Sequence, residues 1–237
     1  MKEFDKPNDT PSFGEVASPV TNRAHRILVL LLLLLMVVEW ILLLVDRRWL
    51  SAFLATLIIA TLLLPVVFRH KMEMEIPAEF HITAVIFILA SLYLGEIQSF
   101  YHRFWWWDIA LHTSAGLLMG IVGFLLVYLL NESKGVELHM TPIFISLFAF
   151  LFAVAIGTFW EIFEFSMDQL FGFNMQKPML GDPSGLADTM WDMIVNALGA
   201  FIISFMGWWY KKRQQTFFVK DWIQKFIGKN PGIFNKG

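Results

Sequence analysis

Seven residues in this chain carry donor atoms suited to shared chemistry: Asp108, His112, Glu161, Glu164, Asp188, Asp192 and Asn196. They are carboxylates with one imidazole and one amide. Such a set takes divalent cations and does not choose between Zn²⁺, Mn²⁺, Mg²⁺ and Ca²⁺. The expected metal ligands are Asp108, His112, Glu161, Glu164, Asp188 and Asp192. A cation held there would polarise a phosphoryl or carbonyl oxygen, or activate water, while a spare carboxylate acts as general base. Glu161, Asp192 and His112 are the expected catalytic groups, because they sit deepest. Without a cation, several carboxylates in a low-dielectric place must share protons instead. No other reaction signature accompanies them. The chain has no G-x-S-x-G, no H-E-x-x-H and no phosphate-cradling glycine loop. It also has no cysteine, which excludes thiolate metal sites, cysteine nucleophiles and disulfides.

The spacing around these residues predicts what positions them. Asp108, His112, Gly116 and Gly120 recur every fourth residue. So do Ala149, Ala153, Gly157 and Glu161, with Glu164 and Asp168 beyond. Asp188, Asp192, Asn196, Ala200 and Ser204 form a third set. On helices each set shares one face, small at one end and ionisable at the other. Small residues at this interval let helices approach closely in lipid. Alternating helix direction then brings the three ionisable ends to similar depth.

The rest of the chain says that these helices lie in a membrane. Of 237 residues, 57% are hydrophobic and 16% charged, well below the charged share of soluble domains. The net charge of −2 gives no field that would draw nucleic acid. Six apolar runs are expected to cross: 27–45, 50–68, about 80–98, about 108–130, from Pro142 to Phe165 or Asp168, and 188–209. Pro65 is expected to kink or end the second. Phe104 and Trp105 to Trp107 read as an interfacial aromatic belt. Most of the 18 Lys and Arg residues fall on the side of the two termini. Only Arg47, Arg48, Arg103 and Lys177 fall opposite. The positive-inside rule puts both termini in the cytoplasm. The fold expected is therefore all-α, a polytopic six-helix bundle in the bacterial plasma membrane, surrounded by membrane lipids. Residues 1–22 read as a flexible tail, 23–213 as the membrane domain, and 214–237 as a cytoplasmic tail. In that tail Phe218, Trp222 and Phe226 alternate with lysines, which suits a short helix lying on the membrane surface and equally a partly disordered tail.

Plainer readings stand beside the chemical ones. Asp108 and Asp188 are well placed to cap helices. Glu164, Asp168 and Asp182 would also suit open water. Asn196 would serve equally as interhelical glue. Glu39 would join the cluster or pair with Arg47 or Arg48, and Glu96 and His102 could join from the third span. Trp160 and Trp191 would shape an apolar pocket beside the acids. His81 and His139 fall at the opposite end and call for no special role. Gly181-Asp182-Pro183-Ser184-Gly185 reads as a turn.

The combination Asp108…His112, Trp160-Glu161-x-x-Glu164 and Asp188-x-x-x-Asp192-x-x-x-Asn196-x-x-Gly199-Ala200 resembles the uncharacterised bacterial inner-membrane proteins typified by YjdF. It is more loosely similar to VanZ-like proteins. The likeness covers residues 50–210. It implies a compact six-span bundle and, through the VanZ-like side, the cell envelope; it implies no reaction. Three functions fit the residues at this point. One is a metal-dependent enzyme on a lipid or envelope substrate. The second is a cation- or proton-coupled transporter. The third is a structural or accessory protein whose acids only fix helix packing.

Overall fold

A computed structural model describes residues 19–72, 77–132, 140–213 and 218–230. The expected 1–22 tail lies almost wholly outside these residues, as does His139. The described chain is helical, with no β-strand, only one isolated bridge between Met179 and Asp182. The helices are α1 (Pro19–Val45), α2 (Trp49–Met72), α3 (Ala78–Ile88), α4 (Phe100–Arg103), α5 (Trp107–Glu132), α6 (Pro142–Phe171), α7 (Leu186–Lys212) and α8 (Phe218–Lys229). A π-helical segment, Leu89–Ile97, continues α3 without a break.

Among the described residues, five helices are long and apolar enough to cross a membrane: α1, α3 with its π segment, α5, α6 and α7. In α2 the apolar stretch, Trp49–Leu64, is shorter. Pro65 does not end this helix, which runs on to Met72. Proline inside a lipid-embedded helix is tolerated where local adjustments satisfy the freed carbonyl.

The helices form two packing units. In the first, α1, α2 and α3 bury Met36, Leu43, Ala52, Ala55, Ile58, Leu62, Val85 and Ile97 against one another. In the second, α5, α6 and α7 pack each against the other two. Here the small-residue stripes expected from the spacing form the contact. A Cβ added at Gly116 would collide with the Asn196 carbonyl, and one at Gly199 with the Thr113 carbonyl. At Gly123 it would stand 2.8 Å from the Ala149 Cα. Gly116 meets Asn196 while Gly207 meets Phe124, so α5 and α7 run parallel; α6 runs against both, since Gly157 meets Asn196 and Gly123 meets Ala149. Backbones this close leave no room for lipid or water between them.

The end of the bundle that carries Asp108, Glu161 and Asp192 is called the site end. The loop 172–185 is tied to this end, where Asp188 Oδ2 accepts the Lys177 backbone N–H at 2.7 Å. Asp168 holds that loop by accepting the Met175 N–H at 2.7 Å and the Gln176 N–H at 2.9 Å. At the far end α8 docks on the bundle. Phe226 is buried, Trp222 meets Phe80 edge to face at 5.1 Å, and Trp222 and Ile227 pack on Ile121 and Ile203. Trp222, Phe226 and Ile227 of α8 thus pack on protein.

Candidate functional site

His112 stands at the centre of the acid cluster. Its Nε2 lies 3.4 Å from Asp108 Oδ1, one turn back on α5, and 3.8 Å from Asp192 Oδ2 on α7. Its Nδ1 lies 3.6 Å from Glu161 Oε1 on α6. One donor atom from each of Asp108, His112 and Asp192 can be chosen so that all lie within 4.8 Å of one another. The three helix faces therefore meet as their spacing predicts, and the close glycine contacts below are the reason.

Burial makes the cluster unusual. Asp192 is 1% exposed and Glu161 3%. Among the described residues, no group donates a hydrogen bond to either carboxylate oxygen of Asp192. Buried polar groups are nearly always hydrogen-bonded, and an unpaired buried carboxylate is costly. Asn196, one turn below Asp192, is accounted for in part. Its amide donates to the Ala153 carbonyl at 3.3 Å, which supports the reading as glue between α6 and α7.

Other expected members have different partners. The Glu164 carboxylate accepts the Trp160 indole N–H at 2.9 Å and stays at the edge of the cluster. Asp188 is buried, but its Oδ2 accepts the Lys177 backbone N–H at 2.7 Å. Nor does Asp188 cap α7. That helix starts at Leu186, because Asp182 and Ser184 cap it two residues earlier. Asp182 Oδ2 accepts the Ala187 N–H at 2.9 Å and Ser184 Oγ the Leu186 N–H at 3.3 Å. The Asp182 carboxyl is held below the usual aspartate range, chiefly by the Ser184 hydroxyl and also by the Ser184 and Ala187 N–H groups. The 181–185 segment is the expected turn, with Gly181 and Gly185 both at positive φ.

Glu96 does not join the cluster; it pairs with Lys177 Nζ at 3.2 Å. His102 is exposed. The π segment that contains Glu96 changes which way successive side chains project. Glu39 forms no ion pair with Arg47 or Arg48 among the described residues, and α1 packs on α2 away from the acids. Trp160 and Trp191 are not enclosed beside the acids. They are 41% and 43% exposed, on faces open to the surroundings of the bundle.

Two residues at the site end escaped the sequence reading. Lys177 reaches Glu96, the Asn174 carbonyl at 2.6 Å and the face of the Tyr101 ring at 5.8 Å. The Tyr101 hydroxyl lies 3.2 Å from Ser91 Oγ. Burial holds the Tyr101 hydroxyl protonated far above the usual phenol range, and Asp108, Glu96 and Glu164 push it the same way. The signals for both were faint: one lysine in an acidic loop, and one tyrosine among tryptophans.

Comparison with known proteins agrees with this picture of a membrane bundle. Residues 27–213 match the family described as "Predicted membrane protein (DUF2238)". The chain belongs to this family. It is also 28% identical over 155 residues to an uncharacterised protein of Thermotoga maritima, covering 65% of this chain and 73% of that one. No solved structure matches the chain. The likeness to an uncharacterised membrane family thus holds at this level, and nothing in the comparisons supports a VanZ-like relationship.

Proposed function

We propose that Asp108, His112 and Asp192 hold a divalent cation, and that the protein is a metal-dependent membrane enzyme acting on a lipid or cell-envelope substrate. One observation carries this reading: Asp192 is buried beside His112 and Asp108, with no hydrogen bond to either carboxylate oxygen among the described residues. A cation supplies what those oxygens lack. A transport path is disfavoured, because the glycine contacts of Gly116, Gly123 and Gly199 close the bundle below the cluster.

In this reading His112 binds through Nε2, the nitrogen facing Asp108 and Asp192. Its Nδ1–H turns to Glu161, as metal-bound histidines commonly turn their second nitrogen to a carboxylate. Three protein ligands leave coordination positions open, as catalytic sites do. The bound metal would supply Lewis acidity. Glu161 orients His112 and is the carboxylate placed to take a proton. Glu164 and Asp188 border the site without ligating. Zn²⁺, Mn²⁺, Mg²⁺ and Ca²⁺ all remain compatible with the donors. We further infer that α2 also crosses, giving six spans with both termini in the cytoplasm of a bacterial plasma membrane. The distribution of Lys and Arg supports that orientation, and a YjdF-like relationship fits the family.

Metal analysis of the purified protein tests the reading. About one equivalent of metal per chain is expected. After chelation, one of the four cations added at 100 times its Kd should stabilise the fold by about 2.7 kcal/mol. His112→Ala and Asp192→Asn should remove that stabilisation. A parent protein without metal, and without a shift for any of the four, sinks the proposal.

A further inference from the structure

A groove runs between α1 and α3 near the far end of the bundle. Both helices pack on α2 and scarcely on each other, so a seam is left between them. Leu28 and Leu32 form one wall, and His81, Ile82, Ile86 and Leu89 the other, around about 320 Å³ of free volume. The groove opens sideways, since Leu28 is 45% exposed and Ile86 62%. It lies within the apolar stretches Ile27–Val45 and Glu79–Ile97. At that depth the surroundings are hydrocarbon, and water does not fill an apolar cavity there. Spread over the rise of about 10 Å from Ile82 to Leu89, the volume has a mean cross-section of about 30 Å². A helix about 10 Å across needs more than twice that. A hydrocarbon chain fits where another helix does not.

The mouth of the groove is charged. Glu79, Ile82 and Ile86 are three and four residues apart, so they share one face of α3. The Glu79 carboxylate therefore stands one turn before Ile82, where the groove meets the far-end surface. Lys225 of α8 pairs with it at 2.6 Å and is 56% exposed. Lys229, on the same face of α8 as Lys225, acts on the same carboxylate. Among the described residues, two ammonium groups thus meet one carboxylate, and the mouth is net positive. We propose that the groove takes one acyl chain of an anionic phospholipid from the leaflet at the far end, with its phosphate against Lys225 and Lys229. This site stands apart from the cation reading of the site end. The chain restores the van der Waals contacts that the groove lining lacks. It adds little selectivity, because it leaves surroundings as apolar as the groove. The head group decides. The phosphate of phosphatidylglycerol brings one unmatched negative charge, whereas phosphatidylcholine carries its own ammonium to the lysines.

The full chain, stripped of lipid in detergent, is titrated with dioleoyl phosphatidylglycerol or dioleoyl phosphatidylcholine, and native mass spectrometry counts the lipids retained. One phosphatidylglycerol per chain is expected, held about fivefold more tightly than phosphatidylcholine, the scale of one lysine near an anionic lipid. Lys229→Gln should remove that preference and leave phosphatidylcholine binding as it was. Glu79→Gln should have the opposite sign and tighten phosphatidylglycerol. Leu28→Trp with Ile86→Trp fills the groove from both walls, at exposed positions with room for the larger ring, and should abolish retention of either lipid. The two charge variants lie outside the groove and judge the head group even where the tryptophans disturb packing. Equal affinity of the parent for the two lipids, or no change in Lys229→Gln, overturns the head-group contact. Retention unchanged by the paired tryptophans overturns the groove. A parent that holds no lipid, and forms a dimer lost in the paired-tryptophan variant, gives the groove to a second copy of the chain and overturns the lipid.

Discussion

The two halves of the bundle pack by opposite means. The α1–α3 unit fills its interior with Met36, Leu43, Ile58, Leu62, Val85 and Ile97 and buries no acid in that cluster. The α5–α7 unit makes its contact with Gly116, Gly199, Ala149, Ala153 and Ala200, and buries Glu161, Asp188, Asp192 and Asn196 at one end. In lipid, apolar burial gives helices little reason to associate, because the tails are as apolar as leucine; close contact and interhelical hydrogen bonds decide. Helices held apart by leucines have give. Helices in backbone contact do not, and they shut water away from whatever ionisable groups lie on the same faces. The small-residue stripe is thus the reason the acids are desolvated, although it does no chemistry itself.

The sharpest way to break this contrast is to exchange the two kinds of residue. Gly199→Leu drives a side chain into the Thr113 carbonyl, which is backbone and cannot swing aside. A loss of about 3 kcal/mol or more is expected, along with the cation-dependent stabilisation. Leu62→Ala in the other unit leaves a cavity that neighbours and lipid partly fill. It should cost about 1–3 kcal/mol, at or below the aqueous range for such changes, and leave metal content unchanged. Unfolding in mixed micelles, with metal analysis of each variant, reads both. Loss of metal in Leu62→Ala would show that the halves are not independent.

A smaller effect of opposite sign is expected inside the cluster. In the chelated protein Asp192 and Glu161 are buried beside each other and Asp108, with His112 between them. Removing a charge there should relieve more than it costs. Glu161→Gln leaves His112 two carboxylate neighbours and removes one of three like charges, so it is expected to raise the melting temperature of the chelated protein, and to weaken the cation-dependent gain. Thermal melts with and without chelator compare the two. If the acids served only to glue helices, Glu161→Gln would destabilise under both conditions, and the gain would be absent from the parent.

How much of this could be read in the sequence follows from the same contrast. The four-residue repeats of Gly, Ala and acid on α5, α6 and α7 fix which faces meet, so His112, Glu161 and Asp192 could be brought together from spacing alone. The partners of Glu96, Asp188 and Lys177 could not. Glu96 is turned by a π segment that has no clear sequence mark beyond Gly95. Asp188 lost its capping role because Asp182-Pro183-Ser184 begins α7 two residues early. Lys177 comes from a loop with no period, and its contacts depend on how Asp168 and Asp188 fold that loop. The two-unit division was also hidden, since leucine-rich and glycine-rich helices are equally apolar on average.

The weakest effect expected comes from that loop, and it sharpens the contrast between buried and exposed acids. Asp182 is a carboxylate in the open, yet hydrogen bonds from Ser184 and Ala187 hold its folded pKa below the ordinary aspartate value of about 3.9. A group whose folded pKa is lowered binds more protons when unfolded. Its contribution is therefore complete above about pH 4 and fades as pH falls through the lower folded value. Asp182→Asn should flatten this acid limb of the stability curve and change little near neutrality. The readout is the melting temperature between about pH 2 and pH 6 for the parent and Asp182→Asn. Parallel curves across that range would mean that the start of α7 does not depend on this charge.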